Sequence, residues 1–183
     1  VQNYVKLAEL HSADRRYQEA EKVLFNALQA SGNSLKVRSL WEDARIRSSK
    51  ARLAIAEKRA TSEKTDEARE LAAKLKAELN RLELDIYAER SQRHPDNLRF
   101  RYELGVRLRR AANYREAIKF YQDARKDPQC YVAATLEMGE CWQQLKQYSK
   151  AMKCYQVAIN ESTELDGDRQ KMALYRGSVL ATA

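Results

Sequence analysis

Glycine and proline are scarce, at 5 and 2 in 183 residues. A many-stranded sheet needs such breakers at its turns, so that scarcity excludes one, and the abundant alanine and leucine favour helix. The expected fold class is all-α. No run of about 18 apolar residues occurs, which excludes membrane insertion by this segment. Histidine is nearly absent: His11 and His94 are the only two, far apart in the chain. The three cysteines, Cys130, Cys141 and Cys154, lack the C-x-x-C spacing of zinc and redox sites. Two of them stand among apolar helical residues and read as small buried hydrophobes. There is no H-E-x-x-H, no G-x-S-x-G and no phosphate-cradling glycine loop. The expectation is therefore no enzyme: no catalytic residue, no metal and no cofactor. The chain opens on Val1 rather than Met and is read as an excised piece. No compartment is assigned, although a reducing one such as the cytoplasm suits the thiols best.

What is present is charge, at 33% of residues with a net +8, and it is unevenly spread. Residues 1–34 carry four charges of each sign and residues 132–183 carry six of each. Residues 98–131 carry nine positive against four negative, so +5 sits in one short segment. A basic segment of that kind is a candidate polyanion surface.

A fixed period organises the chain. Leu104-Gly105, Tyr114, Ala117, Tyr121 and Ala124 recur 34 residues later as Met138-Gly139, Tyr148, Ala151, Tyr155 and Ala158. The same spacing opens the chain, as Leu7-Ala8, Tyr17, Ala20, Leu24 and Ala27. Two helices folded on each other explain the pattern. The small residue (Ala8, Gly105, Gly139) admits the second helix, and Ala20, Ala117 and Ala151 supply its matching flat spot. Leu24, Tyr121 and Tyr155 are expected to fill the gap toward the next pair. One pair cannot bury its apolar face alone, so neighbours stack.

These residues resemble the tetratricopeptide repeat family over residues 1–34, 98–131 and 132–165. Arg101 and Thr135 depart from it, standing where the family often has a large apolar residue. The resemblance implies a right-handed array of antiparallel helix pairs, a solenoid without catalysis that binds protein or peptide. It implies a concave groove lined by the first helix of each pair. Carried over, that surface holds Val5, Glu9 and Ser12, then Arg99, Tyr102, Val106 and Arg109, then Leu136, Glu140 and Gln143. The Lys and Asn with which the family's chaperone-binding members clamp a terminal carboxylate have no match at Val5, Glu9, Tyr102, Val106, Leu136 or Glu140, so that activity is not expected.

Residues 35–97 number 63 where one repeat uses 34. The excess of 29 is close to eight helical turns, about four for each helix of a pair, which returns every side chain to its face. The expectation is one elongated antiparallel helical hairpin, with seams at Val37, Trp41, Ala44, Ser48, Ala51 and Ile55, and at Ala68, Ala72, Leu75, Leu79, Leu82 and Ile86. Thr61 to Thr65 would form the turn, with Thr65 as N-cap. Residues 166–183 read as a capping helix or a truncated repeat, with Met172, Ala173, Leu174, Val179 and Leu180 covering the end of the array.

Three functions follow as expectations. The first is a protein-interaction scaffold whose groove takes a peptide, acidic or mixed, through Arg99, Tyr102 and Arg109. The second is nucleic-acid binding through Arg99, Arg101, Arg107, Arg109, Arg110 and Arg115. The third is a structural role, with a homodimer through Ile46 and Leu53, and through Leu84 and Tyr87, on the elongated hairpin.

Overall fold

The computed structural model describes residues 1–162 and 166–181, and among these every regular element is an α-helix. The helices are α1 (Gln2–Ala13), α2 (Tyr17–Ala30), α3 (Leu35–Glu63), α4 (Asp66–Arg93), α5 (Leu98–Arg110), α6 (Tyr114–Ala124), α7 (Pro128–Gln144), α8 (Tyr148–Asn160) and α9 (Gly167–Ala181). They fall into two compact units, Val1–Glu83 and Leu84–Ala183, with α4 shared between them. The chain is all-α, built of antiparallel helix pairs, as its repeat spacing predicts.

In the second unit α5 pairs with α6, and α7 with α8, while α9 packs on α8 and α7. The close approach within each pair is set by glycine. A Cβ on Gly105 would lie 2.8 Å from Cε1 of Tyr121, and one on Gly139 would lie 2.6 Å from Cε1 of Tyr155. Ala117 and Ala151 are fully buried, as the flat-spot argument requires. The two tyrosines do more than fill the gap to the next pair: each ring lies on the glycine of its own pair. In the first unit the pairing α1–α2 uses Ala8 and Leu24, both buried, in place of Gly and Tyr. A larger residue on one side thus goes with a smaller one on the other.

The helix ends follow local chemistry. Asn97 accepts from the backbone N–H of Arg99 and Phe100 to cap α5. Asp127 caps α7 by accepting from Gln129, with Pro128 in the first turn, where its missing N–H costs nothing. At the turn inside each pair one residue is left-handed: Arg15 (φ 60°), Ala112 (φ 59°) and Lys146 (φ 58°). These occupy the same place in their repeats, and none is glycine.

The elongated pair is present as α3, with 29 residues, and α4, with 28. Lys50 Nζ lies 2.9 Å from the buried carboxylate of Glu83, which ties α3 to α4. Against the 14 residues of α2, α3 is longer by about 22 Å at 1.5 Å per residue. The turn is tighter than the sequence suggests. Helix α3 continues to Glu63, Lys64 takes the left-handed cap (φ 57°), and Thr65 Oγ1 accepts from Ala68 N at 3.3 Å.

The seam on α3 differs from the expected one. Ile55 is 70% exposed, while Ile46, Leu53 and Ala56 are buried. A long helix with two partners carries two stripes. Val37, Trp41 and Ala44 pack with the α1–α2 pair. Lys50 pairs with Glu83 of α4, and Leu53 on α3 and Leu79 on α4 are both buried. Leu84 and Tyr87 pack against the core of Leu104 and Leu108. The apolar patch that suggested a homodimer is therefore covered from within the chain.

Helix α9 also departs from expectation. Ala173 is buried and Leu180 partly so, but Met172, Leu174 and Val179 face outward, as does Tyr175. The docking face is the narrow line through Ala173 and Gly177, the two small residues. Thr182 and Ala183 lie outside the described residues.

Candidate functional site

The ten expected groove residues fall in two places. Val5, Glu9 and Ser12 belong to the first unit and the other seven to the second.

In the first unit the first helices α1 and α3 enclose a hollow of about 520 Å³. Its floor is Val1, Val5, Val37 and Leu40, and its rim is Gln2, Lys6, Glu9 and Lys36. Val5 and Glu9 are thus brought to one recess, and Ser12, half-buried near the end of α1, is not part of its lining. Lys36, Val37 and Leu40 were missed by the sequence reading. The resemblance was carried over the regular repeats alone, and these three stand on the first helix of the elongated one.

In the second unit the first helices α5, α7 and α9 are joined by ions. Arg109 Nε lies 2.6 Å from Glu137 Oε2, and its Nη1 lies 3.0 Å from Glu140 Oε2. Arg176 Nη1 reaches the same Glu140 oxygen at 3.1 Å. All four side chains are between 20% and 25% exposed, so the network is largely shielded from water. Burial raises the Glu137 carboxyl above its usual range, with Glu140 adding to the effect and Arg109 opposing it. Burial alone would lower the Arg109 guanidinium, but Glu137 and Glu140 outweigh it and the group is raised. Tyr102 lies beside this cluster, its ring 6.0 Å from that of Tyr121. Burial and the charge of Glu137 push its hydroxyl up to about 12, so it stays a donor.

The remaining expected residues separate by depth. Arg99 is exposed at the start of α5, and Val106 is half-buried. Gln143 accepts from the Tyr155 hydroxyl at 2.7 Å. Leu136 is buried in the cluster of Val132, Tyr155 and Ala173, so it lies behind the surface rather than on it. Glu137, with Glu9 and Glu140, is expected from the sequence to put negative charge near the groove, but Arg176, which completes the network, went unread because ion pairs between helices leave no periodic mark.

The two departures from the repeat pattern are each satisfied locally. Arg101 pairs with Asp123, and its Nε donates to the Pro95 carbonyl at 3.1 Å. The Thr135 hydroxyl donates to the Tyr131 carbonyl at 2.7 Å.

The basic segment is less basic in three dimensions than in sequence. Arg101 is held by Asp123, Arg107 pairs with Glu103 and stacks 4.0 Å over Tyr87, and Arg109 is held as above. At least three of the six arginines offered for phosphate contacts are thus already engaged, which weighs against the nucleic-acid reading. The thiols are buried, and burial raises all three, Cys141 to about 12. No cluster of three or more metal-ligating groups occurs among the described residues.

Stacked antiparallel pairs, a 34-residue period and a small residue under a large one at the α1–α2, α5–α6 and α7–α8 crossings give a fold like that of tetratricopeptide repeat proteins. Solved structures agree. The chain is similar to YrrB, a TPR protein with an unusual peptide-binding site, with a TM-score of 0.57 and 15% identity over 96% of this chain and 90% of that one. It is also similar to MamA, with a TM-score of 0.54 and 13% identity over 87% of this chain and 90% of that one. No family model matches the sequence, and no curated protein matches it.

Proposed function

We propose that the chain is a non-catalytic protein-interaction scaffold whose first helices hold an extended peptide of acidic and aliphatic residues. The observation that carries this reading is the α1–α3 hollow, where an apolar floor lies beneath two lysines, Lys6 and Lys36, and one carboxylate, Glu9. An aliphatic side chain fits the floor and a neighbouring carboxylate fits the lysines. The second unit carries a cation and a rigid donor of its own, Arg99 and Tyr102. Arg109 serves less as a free anchor than as the tie between α5 and α7, since a ligand carboxylate must compete there with Glu137 and Glu140. The peptide-binding site of YrrB, on a similar fold, supports the same use here.

The test is fluorescence anisotropy with a labelled twelve-residue peptide of glutamates carrying leucine at every fourth position. A lysine counterpart is the control. The acidic peptide binds saturably and the lysine peptide at least tenfold more weakly, about 1.4 kcal/mol. The charge reversals Lys6→Glu and Lys36→Glu together remove that preference. Equal binding of both peptides, or binding unmoved by the reversals, refutes the reading.

A further inference from the structure

A second recess lies in the first unit, between α2 and α3. Helices α2 and α3 enclose a hollow of about 630 Å³ lined by Gln18, Glu21, Lys22, Phe25, Asn26, Trp41, Ser48 and Arg52. Its aromatic wall is Phe25 and Trp41, with ring centroids 5.7 Å apart and planes inclined at 47°. Phe25, an aromatic residue on α2, is 45% exposed. The repeat shows what that position requires: its equivalents are Gln122 and Gln156, both exposed. Packing is therefore met by a polar residue there, and the first pair alone carries an aromatic.

The charges around the hollow are mostly positive. Lys22 and Arg52 line it, and the Arg45 guanidinium stands 4.7 Å over the Trp41 ring. Among the described residues none of these three cations forms an ion pair, and Glu21 is the one carboxylate in the lining. A half-open aromatic wall, with Phe25 exposed and Trp41 partly buried beneath Arg45, matches an aromatic side chain flanked by carboxylates, since aromatic contact area and charge complementarity act on one segment.

We propose that the α2–α3 hollow is a docking surface, distinct from the α1–α3 hollow, for an acidic segment of a partner protein carrying an aromatic residue. The aromatic residue inserts against Phe25 and Trp41, and its acidic neighbours lie on Lys22, Arg45 and Arg52. The hollow exists because α3 runs on past α2, which leaves Ser48 and Arg52 beside the open start of α2 near Gln18.

The chain has two tryptophans, so Trp142→Phe leaves Trp41 as the sole reporter. In that background, acetyl-Glu-Glu-Phe-Glu-Glu-amide shifts Trp41 emission saturably. The same peptide with Ala for Phe, and one with Lys for Glu, bind at least tenfold more weakly. Phe25→Gln, which installs the residue of the other repeats and so keeps the helix, weakens the response at least tenfold, and Arg52→Glu does the same. The Lys6→Glu, Lys36→Glu variant leaves the response intact. No saturable response, equal responses to the three peptides, or a response indifferent to Phe25→Gln overturns the proposal. So does loss of the response with the Lys6, Lys36 reversal, which assigns the signal to the α1–α3 hollow, or an equal response to an oligothymidylate, which makes the surface a general polyanion site.

Discussion

Replacing Gly105 with alanine sets two known effects against each other. Alanine is the better helix former, by up to about 1 kcal/mol in a helix interior. Its Cβ, however, would meet Tyr121 at 2.8 Å (Cε1), 2.9 Å (Cδ1) and 3.2 Å (Cζ). Carbon atoms rest about 3.5–4.0 Å apart, so the ring must retreat by nearly 1 Å. Tyr121 is fully buried and packed beside Tyr102, which leaves little room to retreat. Overpacking of this kind costs about 1–3 kcal/mol, so Gly105→Ala destabilises by about 1 kcal/mol or more despite its helix propensity. At this chain length that is about 2–4 °C in Tm for each kcal/mol. The sharper test is a double-mutant cycle. Tyr121→Leu loses packing by itself, but it recreates the Ala–Leu combination of Ala8 and Leu24. In that background Gly105→Ala becomes neutral or stabilising, with a coupling of about 1 kcal/mol or more. Urea and thermal unfolding followed by far-ultraviolet circular dichroism measure all four proteins. A stabilising Gly105→Ala with Tyr121 in place, or additive single effects, refutes the account of the helix crossing.

Other consequences can be checked on the same protein. Ala112→Gly and Lys146→Gly relieve left-handed conformations at the turns, and each raises stability by about 0.5–1 kcal/mol in urea titrations. The three cysteines react slowly with a thiol-specific chromogenic disulfide in the native protein and rapidly in denaturant, since burial raises each thiol. Asp123 is held below its usual range first by the hydrogen bond from Lys126, then by Arg101, with burial opposing them. A carboxyl lowered in the folded state contributes stability that is present above its unfolded pKa and lost as pH falls through the folded one. Asp123→Asn is accordingly less stable at neutral pH, and the difference narrows in acid, as thermal melts between pH 7 and pH 3 report.

The parts of the fold legible in sequence are those where one residue type has one geometric use. Gly105 and Gly139 recur because only a missing Cβ admits Tyr121 and Tyr155, and that recurrence marks the pairs. The length excess of residues 35–97 is legible because whole turns restore a helix face. The partition of α3 between two neighbours is not. Its apolar stripes overlap, and no periodicity tells that Ile55 faces water while Leu53 is covered. The docking line of α9 was obscured by its large residues, since Ala173 and Gly177 do the packing. The candidate site was half visible. Val5, Glu9, Tyr102, Arg109 and Glu140 follow from the family resemblance carried onto the regular repeats. The commitment of Arg109 to Glu137 and Glu140 depends on helices brought together only in the folded chain.

Amide chemical-shift mapping of the labelled chain with the leucine-bearing glutamate peptide bears most directly on the scaffold reading. The account expects saturable shifts concentrated on the first helices: around Val5, Glu9, Lys36 and Leu40 on α1 and α3, and around Arg99 and Tyr102 on α5. Shifts confined to the second helices α6 and α8, or an identical map with the lysine peptide, would contradict it.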